Sequence, residues 1–176
     1  MKLSDYVVEK LSDYGVRHVF MLPGGGAMHL NDSLGRSTRL KYVCNLHEQA
    51  CAIAAEAYGQ CTNNLGVCMV TTGPGSTNTL TGVAAAWMDS TPMLVVSGQV
   101  KRADLCRGKG VRQLGFQEID IVTIVQPITK YAVMVKDPET IRYHLEKAIW
   151  LARNGRPGPS WIDIPLDVQA ADVDPI

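Results

Sequence analysis

Large aromatic side chains are scarce in this chain. Phenylalanine occurs only at Phe20 and Phe116, and aromatics make up 6% of the 176 residues. No aromatic cluster lies among basic residues, and 17 basic side chains offset 17 acidic ones. With neither a positive field nor stacking platforms, the composition argues against nucleic acid and against an anionic membrane surface. No apolar run approaches the roughly 18 residues of a membrane span, and the start Met1-Lys2-Leu3-Ser4-Asp5 has no apolar signal core. The cysteines at 44, 51, 61, 68 and 106 are odd in number and form no Cys-x-x-Cys pair. They read as reduced core thiols of a cytoplasmic protein. His47-Glu48 is followed by Cys51 where a zinc-binding helix needs a second histidine, so no metal ligands are expected here.

Apolar residues reach 46% and charged residues 19%, a globular composition with enough chain for one full core. Short apolar runs alternate with helical patterns. Strands are expected over residues 16–22, 41–45, 65–71, 93–97, 130–135 and 160–164. Helices are expected from Leu3 to a stop at Gly15, over 27–34, over 48–60, from a Ser76 or Thr77 cap to Met88, over 116–125, and from Asp137-Pro138 to Arg153. Strands bounded by Gly and Pro and separated by helices imply parallel βαβ units. The expected fold is α/β: three-layer and doubly wound, with a largely parallel six-stranded sheet and helices on both faces. The polar stretch 101–113 reads as a surface loop. One domain is expected over 1–168, with 169–176 as the start of a linker.

Ligands on parallel sheets bind outside the carboxyl ends of the strands. Three such loops stand out: Pro23-Gly24-Gly25-Gly26, Leu46-His47-Glu48-Gln49 and Thr72-Gly73-Pro74-Gly75-Ser76-Thr77-Asn78. Their glycines let a backbone approach a ligand closely. A dinucleotide fingerprint fails, because the third glycine would fall on His29 or Asn78. No Gly-Lys-Ser/Thr follows either loop, so a P-loop is excluded too. Glu48 heads a helix with Ala at 50, 52, 54, 55 and 57, against which something can pack closely. It serves either as an ordinary first-turn glutamate or as a carboxylate aimed at a ligand.

In order, Val-Phe-x-x-Pro-Gly-Gly, His-Glu-Gln with the Ala-rich helix to Tyr58-Gly59, and Thr-x-Gly-Pro-Gly-x-x-Asn resemble the amino-terminal, pyrimidine-binding domain of thiamine-diphosphate enzymes. Asp89-Ser90-x-Pro92, Gly98-Gln99-Val100, Phe116-Gln117-Glu118, Pro127-Ile128-Thr129-Lys130 and Gly155-Arg156-Pro157-Gly158-Pro159 narrow the resemblance to acetolactate synthase large subunits. It spans about Leu3 to Gln169.

That resemblance implies thiamine diphosphate as cofactor, with the glutamate matching Glu48 bonded to N1′ of the aminopyrimidine. The contact favours the imino form that takes the C2 proton of the thiazolium ring. Pro23, Gly24, Gly25, Thr72, Gly73, Pro74 and Asn78 are implied around the cofactor. Phe116 and Gln117 are implied at the substrate pocket, with Gln117 joining Glu48 in catalysis. Arg156 matches an arginine that contacts flavin adenine dinucleotide (FAD). Residue chemistry alone also allows a helix-start polar role for Asn78, a core position for Phe116, a helix-terminal one for Gln117, and a plain turn at Arg156.

The family holds the diphosphate and Mg²⁺ with a Gly-Asp-Gly motif in another domain, and no Gly-Asp-Gly occurs here. The resemblance thus implies one domain of a longer enzyme, a homodimer or tetramer whose active site needs a second subunit, and no activity for this domain alone. Pyruvate or another 2-keto acid is the implied substrate. The two-carbon unit would pass to a 2-keto acid or a keto sugar. A decarboxylase releasing an aldehyde and a non-catalytic binding module are the alternatives. Two departures stand out. Leu166 replaces a lysine usual before Asp167, and an extended loop carries Arg107, Lys109 and Arg112 ahead of Gly115.

Overall fold

The computed structural model describes residues 1–106 and 108–174. Arg107 of the extended loop, and Pro175 and Ile176 of the tail, lie outside the described residues. The first half runs α1 (Leu3–Asp13), β1 (His18–Met21), α2 (Met28–Arg36), β2 (Lys41–Cys44), α3 (Glu48–Thr62), β3 (Gly66–Val70), α4 (Pro74–Thr77) and α5 (Leu80–Met88). The second runs β4 (Met93–Gln99), α6 (Ile121–Val125), β5 (Tyr131–Met134), α7 (Ile141–Arg153), β6 (Pro159–Pro165) and α8 (Leu166–Gln169). One six-stranded sheet has the order β2-β1-β3-β4-β6-β5, and every pairing is parallel.

Alternation along the strands builds two cores, one per face. Val19, Met21, Val67, Met69, Leu94, Val96, Ile162 and Ile164 meet α1, α2, α7 and α8. Phe20, Cys68, Val70, Met93, Val95 and Trp161 meet α3, α5 and α6. The result is the three-layer α/β arrangement expected from the alternating pattern. The central strands β3, β4 and β6 are buried along their whole length, which explains their unbroken apolar runs. Each fully buried Leu or Val there contributes about 1.5–3 kcal/mol. Edge strand β2 differs from the expectation of burial on both faces, because all four of its residues are exposed.

Local signals explain most element ends. Asp137 accepts a bond from the Glu139 amide, starting a 3-10 turn that leads into α7. His47 Nδ1 accepts from the Gln49 amide at 3.1 Å and caps α3. Asn63 ends α3 in the left-handed region at φ 50°. The alanines of α3 allow close packing. A methyl group added at Gly82 of α5 would lie 2.6 Å from Ala52 Cβ.

Three expectations need correction. The helix awaited from Ser76 or Thr77 starts earlier, at Pro74, and breaks at Asn78–Thr79. Gly73 supplies its start with a backbone conformation (φ 61°, ψ −123°) open mainly to glycine. The helix awaited over 116–125 covers only Ile121–Val125. Gln117 takes φ 58°, and Asp120 Oδ1 caps the shorter helix by accepting from the Thr123 amide at 3.2 Å. Finally, only Cys51 and Cys68 are core thiols; Cys44 and Cys61 are exposed and Cys106 is half-buried, all five being free. Beyond Gln169, Val173 packs back on the first core cluster, and its amide donates to Met1 O at 2.8 Å.

Candidate functional site

The connection after β1 runs to β2 on one side, while the connection after β3 runs to β4 on the other. The crevice between β1 and β3 is therefore a topological switch point, where doubly wound sheets bind ligands. All three singled-out loops leave carboxyl ends of β2, β1 and β3, which are neighbours in the sheet.

The loops touch. The Gly26 amide donates to Thr71 Oγ1 at 2.9 Å. A methyl group at Gly24 would sit 2.5 Å from Thr71 Cγ2. The Pro23–Gly26 turn thus lies directly on the β3 loop, with Pro23 and Gly25 exposed at its tip. Glu48 reaches the same loop from α3. Asn78 Nδ2 donates to Glu48 Oε2 at 2.9 Å. Glu48 Oε1 has no hydrogen-bond partner among the described residues and lies 3.6 Å from where a Gly75 Cβ would stand. The carboxylate is half-buried, held at one oxygen and free at the other.

Gly73 is buried under Gln117: a methyl group there would meet the Gln117 carbonyl oxygen at 2.2 Å. This contact brings the Phe116–Gln117 segment onto the β3 loop. It uses the backbone of Gln117 rather than a core aromatic, since Phe116 is 83% exposed. Pro74 is exposed on the same loop.

Thr72 belongs to a buried network whose other members, Gln99 and Asp163, had no role assigned from sequence. Its hydroxyl donates to Gln99 Oε1 at 2.8 Å. The Val100 amide donates to the same oxygen at 3.0 Å. Gln99 Nε2 donates to Ile119 O and to Asp163 Oδ2, both at 3.0 Å. All four hydrogen-bonding positions of one amide are used, tying the β3 loop to the 116–119 segment and to β6. Asp163 also accepts from Ser97 Oγ at 2.6 Å, and Trp161 Nε1 donates to that hydroxyl at 2.8 Å. Burial pushes the Asp163 carboxyl up to about 7, outweighing the Ser97 and Gln99 bonds. The sequence held one signal for it: Asp163 is the only charge within the apolar run of β6.

Glu118 organises the extended loop. Its Oε1 accepts from the Cys106 amide at 2.7 Å. Its Oε2 accepts from the amides of Leu114 and Gly115 at 3.1 and 3.3 Å. Burial raises its pKa, but these bonds outweigh it and leave it below the ordinary value. At position 166 no lysine is present, and the nearby cation Arg102 is engaged with Asp167 at 2.7 Å.

Arg156 is not brought to this site. It precedes β6 and donates to Ser90 Oγ at 2.7 Å, ahead of β4. Both lie at the amino ends of the parallel strands, across the sheet from Glu48. Among the described residues no group of three or more His, Cys, Asp and Glu side chains forms a metal site. No helix there is long and apolar enough to cross a membrane.

Residues 1–124 match the family model described as "Thiamine pyrophosphate enzyme, N-terminal TPP binding domain". The chain belongs to this family. Its relatives include the acetolactate synthase large subunit of Buchnera aphidicola subsp. Acyrthosiphon pisum, 41% identical over 169 residues, or 96% of this chain and 28% of that protein. The acetolactate synthase isozyme 3 large subunit of Escherichia coli K12 is 41% identical over 165 residues, covering 94% of this chain and 28% of the relative. Chloroplastic acetolactate synthase 2 of Nicotiana tabacum is 43% identical over 171 residues, covering 96% and 24%. As a thiamine pyrophosphate enzyme domain, the chain thus spans about a quarter of the length of these relatives.

Proposed function

We propose that the chain is the pyrimidine-side domain of a longer, cytoplasmic, thiamine-diphosphate-dependent transferase of acetolactate synthase type. The full-length reaction is decarboxylation of pyruvate and transfer of the two-carbon unit to a 2-keto acid or a keto sugar. The observation that carries this reading is the half-held carboxylate: Asn78 fixes Glu48 Oε2 at 2.9 Å while Oε1 has no partner among the described residues. When bound, thiamine diphosphate supplies the carbon nucleophile.

The residues present fit that group. Glu48 Oε1 offers its free position to a ring nitrogen, where a shared proton tunes the ring. Asn78 keeps the carboxylate from swinging to solvent. Gly75 keeps a side chain off the approach to Oε1, Gly24 and Gly73 let the loops close on Thr71 and Gln117, Gly25 lies exposed at the tip of its turn, and Thr72 anchors the loop beneath through Gln99. Pro23 and Pro74 border the opening. Gln117 and the exposed Phe116 face the keto acid. Mg²⁺ is assigned to ligands elsewhere in the full protein, and FAD to a peripheral contact at Arg156.

A second subunit completes the site in this reading. Leu46, next to His47-Glu48, is wholly exposed, and α3 turns Ala50, Ile53 and Ala57 to solvent at helical spacing. This apolar surface beside Glu48 suits a second copy of the protein in a homodimer or tetramer.

The test is direct. Full-length protein with thiamine diphosphate, Mg²⁺ and pyruvate should release CO₂, and Glu48→Gln should slow release by about 100-fold or more. Undiminished release in the variant refutes the assignment. Acetolactate among the products supports transfer, whereas acetaldehyde alone assigns a decarboxylase.

A further inference from the structure

A cavity of about 520 Å³ lies along the free edge of β5, away from the Glu48 loops. Consecutive residues Ala132, Val133 and Met134 all line it. Successive strand residues point to opposite faces, so a cavity touching all three runs along the strand's edge. Its volume is that of a small-molecule site. Ile119 and Val122 extend the apolar floor.

Four charged residues line the same space: Arg112, Lys136, Glu118 and Asp120. The two carboxylates are already engaged. Glu118 takes the three loop amides described above, and Asp120 caps α6 through the amide and hydroxyl of Thr123 at 3.2 and 2.8 Å. Among the described residues, the side chains of Arg112 and Lys136 make no ion pair or hydrogen bond. The cavity therefore combines an apolar floor with two uncommitted cations.

We propose that this cavity is a second ligand site, which takes an organic anion with an apolar body. The anionic group sits between Arg112 and Lys136, and the body covers Ile119, Val122 and the β5 edge. The site is independent of the thiamine reading and stands whether or not that reading holds. A nucleoside monophosphate and a medium-chain carboxylate share this chemistry, and the experiment separates them.

Full-length protein, saturated with thiamine diphosphate and Mg²⁺ so that adenine nucleotides cannot enter that site, is titrated calorimetrically with adenosine 5′-monophosphate and with octanoate. Inorganic phosphate and adenosine serve as the anion without the body and the body without the anion. At least one of the two complete probes should bind, at least tenfold more tightly than either fragment. Arg112→Ala and Lys136→Ala should each weaken it about tenfold, the cost of one charge-assisted contact. Ala132→Phe, which fills the floor, should abolish binding while leaving the thermal midpoint within a few degrees of wild type. Arg112 is exposed on a loop, so its variant remains informative if Ala132→Phe fails to fold. Absence of binding by both complete probes overturns the proposal, as does binding that all three variants leave unchanged.

Discussion

Asp163→Asn isolates a buried carboxyl in the middle of the sheet. Asp163 is fully buried, has no cation beside it among the described residues, and has its carboxyl pushed up to about 7. In the unfolded chain the same group titrates near 3.8. Between these two values the folded state holds the proton that the unfolded state has lost. Stability from this group is therefore full below about pH 4, declines as pH rises, and is gone above about pH 7. The complete loss is about 4 kcal/mol, of which more than half falls between pH 5 and pH 8. Asparagine mimics the protonated acid: its amide can donate to Ser97 Oγ while its oxygen accepts from Gln99. Urea unfolding of wild type and variant, followed by tryptophan fluorescence across pH 5–8, reads the difference. The variant should gain roughly 2–3 kcal/mol on wild type across that range and be the more stable protein at pH 8. Parallel pH curves would show that Asp163 is ionised at ordinary cost and would refute the reasoning.

Gly73→Ala forces a side chain into φ 61°, ψ −123° and onto the Gln117 carbonyl. It should destabilise the fold by about 2–4 kcal/mol in urea titration, and an unchanged midpoint would contradict the contact. Asn78→Ala frees an exposed carboxylate oxygen, so stability should move by less than about 0.5 kcal/mol. Turnover of the full-length protein with thiamine diphosphate should nonetheless fall about tenfold, and equal turnover would remove Asn78 from the site. Native protein should react quickly with a disulfide reagent at Cys44 and Cys61. Cys68, buried and with its thiol pushed well above its ordinary value, should react only on unfolding. Prompt modification of Cys68 would contradict its burial.

The sheet was legible because most strands are short apolar runs with Gly or Pro close to an end, as at Pro92 ahead of Met93–Gln99. Burial of a particular strand was not, since edge position depends on strand order. Cys44 reads as a core thiol until β2 proves to be an edge. The break at Asn78–Thr79 escaped notice because Asn78 serves Glu48, 30 residues away, rather than the helix start. The Thr72–Gln99–Asp163 network escaped for the same reason: Gln99 and Asp163 are 64 residues apart and meet only through the β4–β6 register. A single acidic residue inside Trp-Ile-Asp-Ile was the local hint. Loop ends near Glu118 were lost because one carboxylate gathers three amides from both sides of the extended loop.

The role of Glu48 is tested most directly by exchange of the C2 proton of thiamine diphosphate bound to the full-length protein, quenched from D₂O and read by NMR. Wild type should exchange far faster than free cofactor, and Glu48→Gln should return the rate by about 100-fold or more toward the free value while still binding the cofactor. Equal exchange rates in the two proteins would contradict the account.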